Sequence, residues 1–559
     1  MSAGGKDLAC LALLTLALLL PFVGKPLHID DPMYVWTAQH IVQHPLDFYG
    51  LSVNWLGAVE SMATAQQNPP GVAYWLALVG ALFGWSEPAL HTGMLVPAVL
   101  AVIGVWLLAP RLGAPPALAA LSLLAMPGFL VSSTTVMADV PALAFWIWAV
   151  LAWVAGLEQR KTGWLVAGAL LSSLCIVTKF VGLALIPLLL AYTLAKSRRL
   201  EPRFLLLLIP VTVTLTYRAR MLSRYGVDPF AAASAFSYFE RGKGASVSEL
   251  PWIGLIFLGG TCLPTLFLSG WIFSRRVLGF SGLFLLVVIG TLLWMQTLGG
   301  CPLRPPEGLR WGLVLQLALF TLSGALVFPL ALQHLWRRRS AEAILLALWV
   351  GGIFVFGSLL NWTTNVRALL PAAPAVAILL AAEAKVLRPR AFGISSGLFA
   401  VLGICLLAGL LVAQGDEAFA RSAREAAQEI ARTHLRVGQR LWYQGAWGFQ
   451  YYMEREGAKK IDWHHTEAVP GDEMALGSAN TVGLFPLPPP IVSLIGDYRF
   501  AVPALASTQS SESGAGFYSD LFGPAPYVFG IPPDEIYYVQ LFQARFFVRK
   551  MMRGTDASE

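Results

Sequence analysis

Charge is scarce in this sequence. Asp, Glu, Lys and Arg make up 13% of its 559 residues, about half the share of an average soluble domain. That shortage excludes an ordinary soluble enzyme, and it excludes a disordered chain, which needs charge to stay solvated. Cysteine is sparse too: Cys10, Cys175, Cys262, Cys301 and Cys405 stand singly in apolar stretches, which supports neither a disulfide scaffold nor a paired-cysteine metal site. The chain has no P-loop, no HExxH and no dinucleotide fingerprint between strand and helix. His464 and His465, with Asp462 close by, lie in a polar segment and read as solvent-exposed. No solenoid-like repeat is visible.

Hydrophobic residues fill the space that charge leaves, at 56% of the chain, with a mean hydropathy of +0.64. A bilayer core needs about 20 apolar helical residues. On that rule thirteen segments read as spans: 8–24, 89–110, 115–131, 140–157, 163–178, 180–195, 204–217, 252–273, 278–297, 311–335, 342–360, 368–385 and 392–413. The fold class is therefore a mainly α, polytopic membrane protein. The first segment runs into Pro21 without a small-x-small cleavage site and reads as a retained anchor.

The net charge of +7 divides unevenly. Residues 1–413 hold 26 Lys and Arg against 15 Asp and Glu, and residues 414–559 hold 13 against 17. Lys6, Arg111, Arg160-Lys161, the Lys196–Arg203 cluster, Arg275-Arg276, Arg337–Arg339 and Lys385/Arg388/Arg390 all fall on one side by parity of the spans. By the positive-inside rule that side is cytoplasmic. Ten acids, Asp30, Asp31 and Asp139 among them, and the tail 414–559 fall on the other. The basic surplus is thus a topological signal and predicts no nucleic-acid partner. Two large outer loops follow, 25–88 and 218–251. The apolar stretch Val72–Phe83 in the first is too short to span and reads as an in-plane or re-entrant helix.

The tail is a different material and reads as a small α/β domain outside the cytoplasm. Ala418–Arg432 has helical spacing, Arg440–Tyr443 reads as a strand, Trp447–Glu456 as a helix and Glu535–Phe542 as a strand. A Pro-rich stretch (Pro486, Pro488, Pro489, Pro490) and the Ser/Gly-rich stretch Ser507–Gly516 interrupt it.

Chemistry is most legible in the outer loops. Asp30-Asp31 opens the first, in His28-Ile-Asp-Asp-Pro-Met-Tyr34. Paired carboxylates at a membrane face require solvent, cations or a metal, and neighbours on a helix diverge by about 100°, so one of the two faces any given cavity. Acids at a helix start are also favoured by its dipole. Pro32 fits such a start, with Tyr34, Ala38 and Ile41 on one face. Asp139, in Val136-Met-Ala-Asp-Val-Pro141, either caps the next helix or presents a carboxylate at a cavity, and the two roles are compatible. Asn68-Pro69-Pro70-Gly71 is a stiffened loop before Tyr74 and Trp75. Cations on this side break the positive-inside pattern: Lys179, Arg218, Arg220, Arg224, Arg241, Lys243 and Arg367. A phosphate would compensate them, or they snorkel to lipid headgroups.

The ordered set of these features resembles the GT-C superfamily of polyprenyl-phosphate-sugar-dependent glycosyltransferases, in the branch of the protein O-mannosyltransferases and the lipid A aminoarabinose transferase. The pieces are Asp30-Asp31 with Tyr34 and Ala38, Asn68-Pro-Pro-Gly-Val-Ala-Tyr-Trp75, Leu82-Phe-Gly-Trp-Ser-Glu87, Ala138-Asp-Val-Pro141, Thr178-Lys-Phe-Val-Gly182 and Arg367-Ala-Leu-Leu-Pro371. The resemblance covers roughly residues 8–390 and leaves out the tail. It implies an enzyme of the cell envelope, set in a bacterial inner membrane, that moves one sugar with inversion from a polyprenyl-phosphate donor to a hydroxyl on a protein, lipid or glycan acceptor. Asp30 matches the catalytic carboxylate and would act as general base, with Asp31 and Asp139 beside it. Tyr34, Asn68, Pro69, Pro70, Lys179, Arg218, Arg220 and Arg367 are the implied donor-phosphate and substrate residues. Two positions depart from the family pattern: Asp31 stands for the usual Glu, and Asn68 for a Lys. The residues require no metal, although Asp30 and Asp31 could hold Mg²⁺ or Mn²⁺. A transporter or flippase of a lipid-linked substrate is the main rival, but it would place ionisable groups near the midplane in repeated halves. A receptor or scaffold would leave Asp30 unexplained.

Overall fold

The computed structural model describes residues 3–66, 68–199, 201–241, 245–387 and 396–547; Lys243, Arg388 and Arg390 lie outside them. Among the described residues ten helices are long and apolar enough to cross a membrane, and an eleventh span forms if Leu250–Thr261 and Pro264–Ile272, bent by 81°, count as one. The chain is an integral, multi-pass membrane protein.

Of the two remaining expected spans, one is a shorter helix and the other is broken. Thr162–Thr178 has 17 residues. Segment 115–131 is divided into Pro116–Leu124 and Pro127–Ser132. The break follows from Pro127, which pushes Met126 into extended backbone (ψ 119°). Gly71–Phe83 is a separate 13-residue helix, as its length predicted.

The Asp139–Gln159 and Val366–Ala384 helices are apolar along most of their length and sit at the centre, nearly enclosed by their neighbours. Here Trp146 and Trp349 lie 5.9 Å apart between ring centres. The Trp153 indole donates to Thr193 (2.9 Å) and the Trp349 indole to the Pro371 carbonyl (2.6 Å), as buried indoles usually do, whereas the buried Trp146 Nε1 finds no partner among the described residues. Leu250–Thr261 and Trp311–Arg338 cross at Gly259 and Gly324, where a Cβ on either would overlap the facing backbone. Such close approach of small residues is how helices pack where lipid offers no hydrophobic drive.

The last long helix crosses the expected boundary at residue 413. Ser396–His434 runs unbroken for 39 residues, so the apolar segment 392–413 and the polar helix 418–432 are one rod. It leads into a five-stranded sheet in the order Lys459–Lys460, Leu441–Tyr443, Glu473–Gly477, Glu535–Phe542, Val492–Phe500. The first two pairings are parallel and the last two antiparallel. Trp442, Ile461, Met474, Val492, Phe542 and Phe546 form a small core on it. Trp447–Arg455 is helical, and the Ser507–Gly516 stretch forms short buried strands.

Candidate active site

Asp30 sits at the junction of the first long helix and the Asp31–Gln43 helix. It takes the N-cap position without making a side-chain cap bond, so its carboxylate is free for other partners. The residue before it, Ile29, has φ +49°, an outlier for a β-branched side chain and a mark of stored strain. The tail holds that strained segment. The Leu27 N–H donates to the Tyr452 hydroxyl (2.9 Å), and Gly448 lies so close to the Leu27 carbonyl that a Cβ there would overlap it.

Arg367 reaches Asp30 across 337 positions of the sequence, its Nη1 3.0 Å from Asp30 Oδ2. It is presented by a short turn of helix, Val366–Leu369, capped by Asn365, whose Oδ1 accepts from the Ala368 N–H (2.7 Å). A π-turn, Phe356–Leu360, precedes it, a local irregularity common at functional sites. The tail supports this side as well, since the Val366 N–H donates to the Phe517 carbonyl (3.1 Å). Tyr518 places its ring 5.4 Å beneath the guanidinium.

A second ion pair joins Lys179 and Asp139. Asp139 is the first residue of its helix; Ala138 holds the cap position and no side chain caps it. The carboxylate therefore goes to Lys179, which the extended end of Thr162–Thr178 projects sideways (φ −155°). The Pro69-Pro70-Gly71 turn packs on the same helix end, because a Cβ on Gly71 would meet Thr178 Oγ1 at 2.6 Å. Asn68 then reaches Tyr34, donating to its hydroxyl at 3.2 Å. Burial pushes the Tyr34 phenol well up, and the Asp139 and Asp30 carboxylates push it further, so at neutral pH it is a hydroxyl.

These groups surround one cavity of about 490 Å³. Tyr34, Asn68, Asp139, Lys179 and Arg367 line its polar side, and Asp30 adjoins it through the bond to Arg367. Phe180, Phe230, Phe236, Phe356, Leu360 and Trp362 form its apolar side. Phe230 and Phe236 come from Pro229–Arg241, an amphipathic helix of the 218–251 loop. The sequence reading missed these aromatics; the signal was the strong amphipathicity of that helix in a loop.

Other expected residues lie elsewhere. Arg218 is paired with Asp228 (2.5 Å), and Arg220 donates to the Leu46 carbonyl (2.7 Å), both in exposed positions outside the cavity. Arg224 pairs with Asp47 (3.0 Å). Asp31 is fully buried and turned away from Asp30. Its Oδ1 accepts from the Val136 N–H (2.8 Å) and its Oδ2 from the His28 N–H (3.1 Å), with His28 Nδ1 3.2 Å away. Burial opposes its charge, but His28, His91 and Lys25 together outweigh that and hold the carboxyl below its ordinary range. His28 Nε2 continues to Asp416 (3.2 Å) and Tyr518 (3.0 Å), and Asp416 pairs with Lys25 at 2.5 Å, all buried. This polar knot ties the start of the first loop to the tail. Because Asp30 and Asp31 diverge, they do not converge on a shared metal seat. Among the described residues, no group of three or more His, Cys, Asp or Glu side chains does so either.

Residues 67–217 match the family model described as dolichyl-phosphate-mannose-protein mannosyltransferase. No curated protein matches the chain. Among solved structures it is similar to ArnT from Cupriavidus metallidurans bound to undecaprenyl phosphate, at 17% identity over 85% of this chain and 94% of that one, with a TM-score of 0.41. It is also similar to the archaeal oligosaccharyltransferase AglB from Archaeoglobus fulgidus in complex with an inhibitory peptide and a dolichol-phosphate, at 14% identity over 82% and 64%, TM-score 0.48. The mycobacterial arabinofuranosyltransferase AftD shares 14% identity over 95% of this chain and 40% of that one, TM-score 0.42. The family match falls on Asn68, Pro69, Pro70, Asp139 and Lys179. It upholds the resemblance to the GT-C glycosyltransferases, and the enzyme class it points to is glycosyl transfer.

Proposed function

We propose that the chain moves a single sugar from a polyprenyl-phosphate donor to an acceptor hydroxyl at the Tyr34–Arg367 cavity, with inversion and with Asp30 as the general base. The observation that carries this reading is the convergence of two carboxylate–cation pairs, Asp30–Arg367 and Asp139–Lys179, on a cavity whose other wall is aromatic. The apolar wall suits a polyprenyl chain and the cations suit its phosphate.

In this reading the acceptor oxygen attacks the anomeric carbon from the face opposite the phosphate, and Asp30 accepts the hydroxyl proton as the new C–O bond forms. The bond from the anomeric carbon to the phosphate oxygen breaks, and its electron pair leaves with the phosphate. Arg367 and Lys179 stabilise the charge that develops there, each released in part from its carboxylate. They take the place of the family's missing Lys at Asn68, whose amide instead orients Tyr34. With two cations present the step needs no divalent metal. The side assigned to the cavity is the extracytoplasmic one, supported by the distribution of basic residues.

The test is transfer by the purified Asp30→Asn variant with radiolabelled polyprenyl-phosphate sugars, products being identified by mass spectrometry. A loss of about 10²–10⁴-fold is expected, with donor binding retained. Transfer at the wild-type rate would sink the assignment of the base.

A further inference from the structure

A second cavity, of about 380 Å³, lies on the opposite face of the Asp31–Gln43 helix. Trp36, Gln39, His40 and Gln43 recur at the i, i+3, i+4, i+7 positions of one helical face and line it. Tyr34, Ala38 and Ile41, on the other faces, are buried. Its far wall comes from the first-loop hairpin at Ser52–Asn54 and from the tail helix, through Gln450 and Glu454. One helix therefore separates the two cavities, and the tail completes only this one, since no tail residue lines the other.

The chemistry of the lining is specific. The side chains of Gln39 and Gln43 make no hydrogen bond, ion pair or ring contact with any described residue. Each offers a carbonyl acceptor and two N–H donors. Trp36 is half-buried and leans on Trp55 and Tyr451, with ring centres 6.2 Å from each, so an aromatic wall is fixed in place beside the two amides. No Lys or Arg lines the cavity, and Lys460, behind it, is spent on the Gln450 amide oxygen (2.6 Å) and the Trp55 carbonyl (2.8 Å). A phosphate or carboxylate would find no Lys or Arg on the wall and would meet Glu454. Groups that donate and accept at once, set beside an aromatic face, match a neutral ligand with a C–H surface and many hydroxyls.

We infer that this cavity binds the neutral, polyhydroxylated part of an acceptor, that is, a glycan. The inference rests on the proposed glycosyl transfer for its meaning but not for its test. The full-length protein in detergent micelles is mixed with maltotriose, with triacetylchitotriose, or with a Ser/Thr-rich peptide, and saturation-transfer NMR reads contact. The expected result is saturation of pyranose ring protons of at least one sugar. That signal should fall at least fivefold in the Gln39→Ala/Gln43→Ala variant, which removes no bond of the folded state, and in Gln43→Trp, which fills the cavity. No signal from either sugar, an unchanged signal in both variants, or contact by the peptide alone would overturn the inference. Transfer by the wild-type protein without sugar contact here would leave the transferase reading intact and remove this one. Sugar contact with no transfer would do the reverse.

Discussion

Tyr518 lies under Arg367, with the guanidinium carbon 5.4 Å from the centre of the ring, and its hydroxyl donates to Asp416 at 2.7 Å. A residue of the tail thus touches the arginine that holds Asp30. The contact gives the tail a mechanical role that its own sequence does not announce.

Replacing that ring should disturb Arg367 before it disturbs the fold. A cation–π contact away from water is worth about 2 kcal/mol. Tyr518→Leu should therefore lower kcat/KM for transfer by roughly tenfold to thirtyfold, whereas Tyr518→Phe, which keeps the ring and loses the bond to Asp416, should lose less. Steady-state transfer assays on the two variants check the order. Equal losses would show that the hydroxyl, not the ring, does the positioning.

Lys179 and Asp139 should behave as a coupled pair. Asp139 is nearly buried, so Lys179→Met leaves a carboxylate without a partner, at a cost of about 3 kcal/mol or more. The melting temperature in detergent should fall clearly in Lys179→Met and recover much of the loss in Lys179→Met/Asp139→Asn. Donor binding should stay weak in both, because the cation is absent from both.

Arg218 and Arg220 provide the contrast. Both are exposed and occupied by Asp228 and the Leu46 carbonyl outside the cavity. Arg218→Ala and Arg220→Ala should each leave the KM for a polyprenyl-phosphate sugar within about threefold of wild type, a change below about 0.7 kcal/mol. A tenfold rise in either would place the donor phosphate at the loop rather than at Arg367 and Lys179.

Glu535 should make the tail sensitive to base. It is buried at the start of its strand, its Oε2 has no partner, and burial, aided by the Glu512 charge, raises its carboxyl to about 7. The folded value exceeds the ordinary 4.5, so the folded state favours the protonated acid. Its stability contribution is full below pH 4.5 and is lost as pH rises through about 7. Glu535→Gln should therefore melt like wild type near pH 5 and at a higher temperature near pH 8.5, as thermal unfolding at the two pH values would show.

Much of the architecture was legible because bilayer thickness and helical rise leave few solutions. The short apolar stretch at residues 72–83 forms the Gly71–Phe83 helix, and Glu535–Phe542 forms a strand between the expected ends. Local signals could not reveal that Ser396–His434 is one helix, since its composition changes halfway while its hydrogen bonding does not. The candidate site divides in the same way. Asp30, Tyr34, Asn68, Asp139, Lys179 and Arg367 do come together, while Asp31, next to Asp30 in sequence, points into a separate knot with His28.

Scarce charge, long apolar runs and the sidedness of the basic clusters determined by themselves that this chain lives in a membrane and where its few exceptional ions should be sought. Only the tertiary structure decided which of those ions share a cavity. Arg367 and Asp30 are separated by most of the chain and meet because packed helices, and a tail folded back onto them, bring their ends to one place. Arg218, nearer in sequence to Lys179, is drawn off by Asp228. A charge in an apolar setting takes whichever partner the fold brings within reach, and reach is a property of three dimensions.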